Sequence, residues 1–494
     1  MGDVFWVFKR VWAIFLNNWF PLLFGFCLLN FALMIQVPDL PRWYLDGLWY
    51  LTLTLAMYFI LRHATILPRM IYGVYSTVLK LRSMAVSGTK SGFMERNPTF
   101  DEGLFYGTMS LALQQVLQAQ SKSNLGPIRR FLSDGLFQRL RFELENQRQL
   151  GQKRLYREIQ IQPHQPQKGR RPIITYLKPD GGHDVIQVSF PVSYWVTVSN
   201  KNDPMRNRNQ YVNRLITWNV VRMHKHLCKD LYRTRNCPSC GDLLPESIGE
   251  VCQCASCGVL VNSPLYDWVL ISFGNPDPIN IFPGLISGLP TFQKESSICS
   301  SLVEDTASNA YVQMLTAWGQ GARLRLLRFC SQSVVDTLID IGNKTVVFED
   351  FSLKWTKCLG IERDTTLFHA YVEVHAEYFQ LVREAGVVIE RTPYQAHWIL
   401  RMDRTIEVNE VKGSVYQHRC PSCGGPFQDT QDLNCNWCGK SLNSSNHDWI
   451  LSEMLTKDEY LEWFERCYPG RKDFQELEEM SIWAKMGKRV GRAW

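Results

Sequence analysis

The segment Cys-Pro-Ser-Cys-Gly occurs twice in this chain, at Cys237–Gly241 and Cys420–Gly424, and each copy is followed by a second Cys-x-x-Cys-Gly and then by Asp-Trp. The later pairs are Cys254 and Cys257 before Asp267-Trp268, and Cys435 and Cys438 before Asp448-Trp449. Eight residues separate the last glycine from the aspartate in both copies, which marks an internal repeat and a chain built by duplication. Four cysteines in two close pairs are what a tetrahedral four-thiolate site needs, since each Cys-x-x-Cys turn offers two sulfurs to one ion. The glycine after each pair permits the backbone angles of such a knuckle. The pattern predicts two zinc ribbons, with Zn2+ held by Cys237, Cys240, Cys254 and Cys257 in one and by Cys420, Cys423, Cys435 and Cys438 in the other. A complete set of four protein ligands is the signature of a structural site, because catalytic zinc keeps one position open. Cys252 also lies near the first site but has no counterpart in the second copy, so it is left out of the ligand set.

Disulfides are a poor account of these knuckles, and the remaining cysteines (Cys27, Cys228, Cys299, Cys330, Cys358 and Cys467) show no disulfide-like spacing, which fits a reducing compartment. With 494 residues, 45% of them hydrophobic, several folded units are expected.

The amino-terminal part differs from the rest. From Ala13 to Ile35 no residue is charged, and the run is long enough to cross a bilayer core, which takes about 20 helical residues. A second apolar stretch runs from Trp43 to Leu61 after the short turn Pro38–Arg42. Together they read as a transmembrane hairpin over residues 1–62, with two helices of a soluble core as the alternative. A signal peptide is excluded by the length of the apolar run. Lys9 and Arg10 precede the hairpin and Arg62, Arg69 and Lys80 follow it, so the positive-inside rule places both termini on the cytoplasmic or matrix side. A juxtamembrane linker follows over residues 63–96.

Helical spacing of Phe105, Met109, Ala112 and Val116, then of Ile128, Leu132, Leu136, Leu140 and Leu144, predicts two helices. Alternating runs at Ile173–Leu177, Val185–Phe190, Tyr194–Val198 and Leu215–Met223 predict an antiparallel sheet. A second unit repeats the order, with helices at Tyr311–Trp318 and Leu324–Ile341 and strands at Thr345–Phe351, Thr366–Val382 and Tyr394–Met402. The expected organisation is an α+β domain over 97–235, a ribbon over 236–271, a linker over 272–299, a second domain over 300–418, a second ribbon over 419–452, and a helical tail over 453–494. In that tail Thr456 and Glu459 form a capping-box pattern.

The segments NPTFDEGLFYGTM, IRRFLSDGLFQRLRFELE, YVNRLITWNVVR and YQAHWILRMDR, with the CPSCG ribbons ending in DWVL and DWIL, resemble the Tim-forty-four-like family, whose founder anchors the protein-import motor at the mitochondrial inner membrane. The resemblance is to bacterial members with a membrane anchor and a zinc ribbon. The resemblance covers about residues 97–270 and, more weakly, 300–452. It implies a cone-like α+β fold of the nuclear transport factor two (cystatin-like) kind, in which a curved sheet wraps helices around a large apolar pocket. It also implies a tethering or protein-translocation-associated role at a bacterial inner membrane, or at a mitochondrial inner membrane facing the matrix. The founder has one such domain and no ribbons, so its motor role does not carry over by residue.

Charge separates the two units. Residues 97–236 hold 22 Lys+Arg against 10 Asp+Glu, whereas residues 300–419 hold 13 against 15. Arg129, Arg130, Arg139, Arg141, Arg148, Lys153 and Arg154 cluster on the second helix and its exit, and a patch of this kind attracts anionic lipid headgroups. Phosphates of RNA are the alternative partner, which would make the chain a nucleic-acid or ribosome-binding adaptor. Enzymatic chemistry finds little support. Glu373, His375 and His183 are the candidates that an enzyme of this cone fold would use on a small apolar substrate, yet none repeats between the units, and no phosphate loop or nucleophile elbow is present. The expectation is therefore a binding protein, not an enzyme, with no small-molecule cofactor.

Overall fold

The computed structural model describes residues 90–469, except 162–171, 202–203, 225–227, 249–251, 275–288, 323–325, 328, 339–341, 343, 407–419, 421, 424, 426–433, 443–444 and 446–447. The expected hairpin and most of the juxtamembrane linker lie outside the described residues, as does the tail beyond residue 469. Among the described residues, no helix is long and apolar enough to cross a membrane.

The fold mixes helices with two antiparallel sheets, each backed on one face by helices. In the first unit, α1 (Glu102–Lys122) starts where the Asp101 side chain accepts the Leu104 N–H, and it buries Phe105, Met109, Ala112 and Val116 as the helical spacing predicts. A 3-10 turn over Gly126–Phe131 precedes α2 (Asp134–Gln149), whose start is fixed by Ser133 accepting from the Leu136 N–H. The apolar spacing predicts one helix running through Ile128 and Leu132. Leu132 is instead extended and bridges to Leu270, so the helix begins after it.

Five strands follow: β1 (Gln152–Ile161), β2 (Ile173–Asp180), β3 (His183–Asn200), β4 (Arg208–Met223) and β5 (Val269–Gly274). The long β3 is the spine, with β1 on its distal half, β2 on its proximal half, and β4 along its whole length, so the order is β1-β3-β4-β5 with β2 beside β3. Val188, Phe190, Val192 and Tyr194 of β3 alternate inward with Trp218 and Val220 of β4 to meet Met109, Leu113 and Leu140 of the helices.

The second unit repeats this plan with α3 (Ser300–Gly319), the six-residue α4 (Gln332–Thr337), and a sheet ordered β6 (Thr345–Arg363), β7 (Leu367–Glu384), β8 (Val387–Thr405) and β9 (Ile450–Leu455). The duplication extends to backbone contacts. Leu132 bridges to Leu270 and Cys330 to Leu451, both in parallel, and the next residues, Ser133 and Ser331, donate N–H to Leu270 and Leu451 at 2.9 Å each. Each of these serines then caps the second helix of its unit. The longer helix expected over Leu324–Ile341 is broken at this point, because Cys330 is committed to the bridge with Leu451.

Strands β5 and β9 return to the sheet after each ribbon, pairing with β4 and β8. Each cysteine module is therefore an insertion between the last two strands of its sheet, not the appendage after the domain that the sequence predicts. The outer face of the second sheet is covered by residues around Leu289 and Phe292 and by α5 (Lys457–Cys467), which opens with the capping box of Thr456 and Glu459. There Trp463 stacks on Tyr371 at 4.1 Å.

The two units share a seam. Cys299, at the N-cap of α3, makes no side-chain cap bond, and Asp180 from the β2–β3 turn takes over. It accepts from Ser300 Oγ at 2.7 Å and from the Ser301 N–H at 3.1 Å, a carboxylate placed where the helix dipole favours it. The adjoining Gly181 has φ +54°, and a Cβ there would lie 2.1 Å from the backbone of Ile298 and Cys299. Phe142 of α2 enters the core of the second unit, 4.9 Å from the Phe351 ring and 5.4 Å from Phe348. Asn146 Oδ1 accepts the Phe348 N–H at 3.0 Å.

Candidate metal centres

Each site is assembled from two knuckles. The N–H of Cys237 donates to Asp242 and that of Gly241 back to Cys237; the same pair of bonds recurs at Cys254 with Val259 and Gly258, and at Cys435 with Lys440 and Gly439. Gly241, Gly258 and Gly439 all take positive φ, at 84°, 73° and 71°, which closes the turn around the sulfurs. In the first site Cys237 Sγ lies 3.6 Å from Cys257 Sγ, and Cys240 Sγ 3.7 Å from Cys254 Sγ. In the second, Cys420 to Cys438 and Cys423 to Cys435 are both 3.7 Å. All four sulfurs in each group lie within 4.8 Å of one another. A tetrahedron with metal–sulfur bonds of about 2.3 Å has edges of about 3.8 Å, so each group has room for one ion. These separations are far from the disulfide bond length of about 2.05 Å. Among the described residues no cysteine is in a disulfide.

In each pair the first cysteine is buried and the second exposed, so each ion would sit half under the module with two thiolates to solvent. The amides of Cys257 and Ser256 hold the Cys254 thiol down at about 6. At Cys435, burial works against ionisation, and the amides of Cys438 and Trp437 still bring it to about 7. Each group thus has one thiol prepared to ionise, while Cys237 and Cys240 in the first and Cys420 and Cys423 in the second are pushed up, so an ion would have to displace their protons to gain the thiolates it binds. Cys252 is apart: it is fully buried, and its Sγ faces the Arg129 carbonyl oxygen at 3.8 Å.

The first module is fastened to its unit through the segment around the 3-10 turn. The Ile248 N–H donates to Gly126 O at 3.2 Å, and Asn262 Nδ2 donates to Leu132 O at 2.9 Å. Arg130 donates through Nε to Leu231 O, through Nη1 to Pro127 O and through Nη2 to Tyr232 O. Arg129 donates to Leu132 O, pairs with Asp134, and lies over the Phe137 ring at 4.5 Å. Both arginines are buried. This corrects the expected lipid-contact cluster. Arg129 and Arg130 hold the module, Arg139 is turned inward to Phe273 O and Glu143, and Arg154 faces Asp350 at 3.4 Å. Of the seven, Arg141, Arg148 and Lys153 are exposed, with Arg148 engaged by Glu145. Lys153 and Arg154 are on β1, where the sequence predicts the exit of a helix.

The Asp-Trp pair closes each module. Asp267 accepts from the N–H groups of Leu231 and Trp268, at 2.9 and 2.7 Å, and Asp448 accepts from the Trp449 N–H at 2.8 Å. Trp268 and Trp449 are both buried in the cores of their own units. Sequence reasoning missed their partners. Arg222 lies over the Trp268 ring at 4.5 Å and Arg404 over Trp449 at 4.8 Å, each one residue beyond the partner of the strand that follows the tryptophan, Val221 with Val269 and Asp403 with Ile450. The signal was the arginine near the end of both VNRLITWNVVRM and AHWILRMDRT, obscured because the two copies are not in register around Trp218 and Trp398.

The residues weighed for catalysis are not gathered. Glu373 is fully buried on the outer face of the second sheet, 2.7 Å from His397 Nε2, while His375 packs on Trp355 at 4.2 Å. His183, in the other unit, has Nδ1 2.9 Å from Gly181 O. None of the three lines the cavity of about 410 Å3 that lies along the seam. That cavity is lined by Arg139, Glu143, Arg154, Arg214, Glu304 and Asp305, so it is charged and not the apolar pocket that the resemblance implies.

Asp305 gives this seam a pH dependence. It accepts from Ser133 Oγ at 2.6 Å and from the Gly135 N–H at 3.2 Å, yet burial pushes its carboxyl up to about 7. An unfolded aspartate titrates near 3.9, so ionisation opposes the folded state. Its contribution is fullest below about pH 4, is lost as pH rises from about 4 to about 7, and is flat above. In Asp305→Asn that loss should disappear, read as the difference between the two melting-temperature profiles over this range; parallel profiles would show that Asp305 does not titrate there.

No family model matches the chain, and no curated protein matches it. Among solved structures, an Ntf2 like protein involved in plasmid conjugation aligns at 9% identity over 48% of this chain and 73% of its own, with a TM-score of 0.11. That likeness is too distant to carry fold or function.

Proposed function

We propose that the chain is a non-catalytic scaffold held at a membrane, in which two fused cone-like domains of the Tim-forty-four-like and nuclear transport factor two kind are stiffened by two structural zinc ions. The observation that carries this reading is the placement of each complete four-thiolate set between the last two strands of its sheet. A metal there is a staple, with no open position for substrate. Soft thiolates with tetrahedral spacing favour zinc over oxygen-preferring ions. The membrane part of the reading rests on the uncharged span from Ala13 to Ile35. A tethering or translocation-associated role, with both termini on the cytoplasmic side of a bacterial inner membrane, follows from the resemblance and the charge asymmetry together.

The anchor is tested by extraction. Alkaline carbonate should leave the full chain in the membrane pellet, whereas a chain beginning at Asn97 should be recovered in the supernatant, because the apolar span has no other place to be buried. Recovery of the full chain in the carbonate supernatant would remove the membrane from the proposal.

A further inference from the structure

The distal half of the first sheet presents an outer face that the scaffold reading leaves unused. Strands β1, β3 and β4 lie side by side there, and Arg157, Trp195 and Tyr211 are register neighbours across the three. Their side chains alternate with Tyr156, Val196 and Val212, which face the core, so they project outward. Trp195 is 37% exposed and Tyr211 51%, with ring centroids 5.3 Å apart. Two large aromatics held side by side on a rigid sheet, open to solvent, are an unusual outlay for stability alone, since a cross-strand pair contributes without exposing its faces.

Polar and basic groups frame the rings. Asn209 and Asn213, exposed on the same face, flank Tyr211 along β4, and Lys153 and Arg157 lie exposed on β1. Arg157 and Lys153 have no ion-pair partner among the described residues. Arg154 and Arg214, on the same strands, turn to the other face and line the seam cavity, so the positive charge of this face is carried by Lys153 and Arg157.

We infer that this face binds single-stranded nucleic acid, with bases stacking on Trp195 and Tyr211, amide side chains meeting base edges, and Lys153 and Arg157 meeting phosphates. Aromatics on an open sheet with flanking cations are the elements of a stacking platform for unpaired bases. Tryptophan and tyrosine also suit the headgroup region of a membrane, but the side chains flanking Tyr211 on this face, Asn209 and Asn213, are amides that match base edges. The inference names a partner for the scaffold and rests on that reading for its context.

The test uses the full chain in neutral detergent micelles and a fluorescein-labelled oligouridylate of about 12 nucleotides, followed by anisotropy. Saturable binding is expected, weaker for a duplex of the same length. Trp195→Ala and Tyr211→Ala should each weaken it by roughly 5- to 150-fold, and Tyr211→Phe, which keeps the ring, should stay close to the parent. Lys153→Ala and Arg157→Ala should each reduce the salt slope by about 0.7. Three results overturn the inference: no saturable binding by protein with full metal content, binding indifferent to both aromatic substitutions, or Trp195-dependent association with phosphatidylglycerol vesicles in place of the oligonucleotide. Metal content and carbonate extraction, measured on the same preparations, report on the scaffold separately.

Discussion

Replacing Cys254 by serine is expected to lower the bound metal from about two ions per chain to about one and to unfold the first cysteine module, while Cys252→Ser leaves the metal content unchanged. Thiolate zinc sites contribute about 10 to 16 kcal/mol of binding free energy to folding, so loss of an ion outweighs the loss of one buried aromatic side chain, at about 3 to 5 kcal/mol. Cys254 Sγ is one corner of the first tetrahedron, 3.7 Å from Cys240, whereas Cys252 lies outside the sulfur cluster and contacts the Arg129 carbonyl. Loss of the ion should spread. The module joins β4 to β5, so Trp268 loses the anchoring of Asp267 and the β4 edge loses its neighbour. Elemental analysis and tryptophan fluorescence read both steps. Metal-free reduced protein with unaltered unfolding, or a Cys252→Ser variant that loses an ion which Cys254→Ser keeps, would contradict the assignment.

Phe142→Ala is expected to cost about 3 to 5 kcal/mol and to divide what should be one thermal transition into two. The ring is 7% exposed and belongs by sequence to the first unit but by packing to the core of the second, against Phe348 and Phe351. Its removal opens a cavity where an aromatic ring of the first unit fills the core of the second. The seam would then rest on its polar contacts, at Asn146, Asp180, Asp305 and Arg154 with Asp350, and on the smaller apolar group of Leu150 with Val347 and Leu381. Calorimetry decides: an unsplit transition at the parent midpoint would mean that Phe142 does not couple the units.

The metal-ligand groups were legible because their chemistry is local. A Cys-x-x-Cys-Gly knuckle carries its own turn geometry, and the repeat chose between Cys252 and Cys254 without any tertiary knowledge. Helix α1 was legible for a similar reason, with an aspartate cap and an apolar stripe on one face. What escaped depends on partners distant in sequence. Strand β1 reads as Gln-Lys-Arg-Leu-Tyr-Arg, a run whose charges suggested a helix exit, and only its pairing with β3 makes it a strand. Arg129 and Arg130 carry the charge of surface residues, and their burial follows from carbonyls at Leu132, Leu231 and Tyr232 that no local pattern announces. Strands β5 and β9 have six residues each, too short to show alternation, so the modules seemed to follow their domains instead of interrupting them.

The cap on α3 has a consequence for the order of events during synthesis. Its N-terminus is completed by Asp180 across a turn whose Gly181 admits no side chain, and both residues leave the ribosome more than a hundred positions ahead of Ser300. Domains made on the ribosome fold from the amino terminus onward. The first hairpin is therefore already in place when the second unit emerges, and it serves as a template on which α3 starts. Exchanging the two halves of the gene, or expressing the second alone, would deprive that helix of its starting point although every residue of the helix itself is retained.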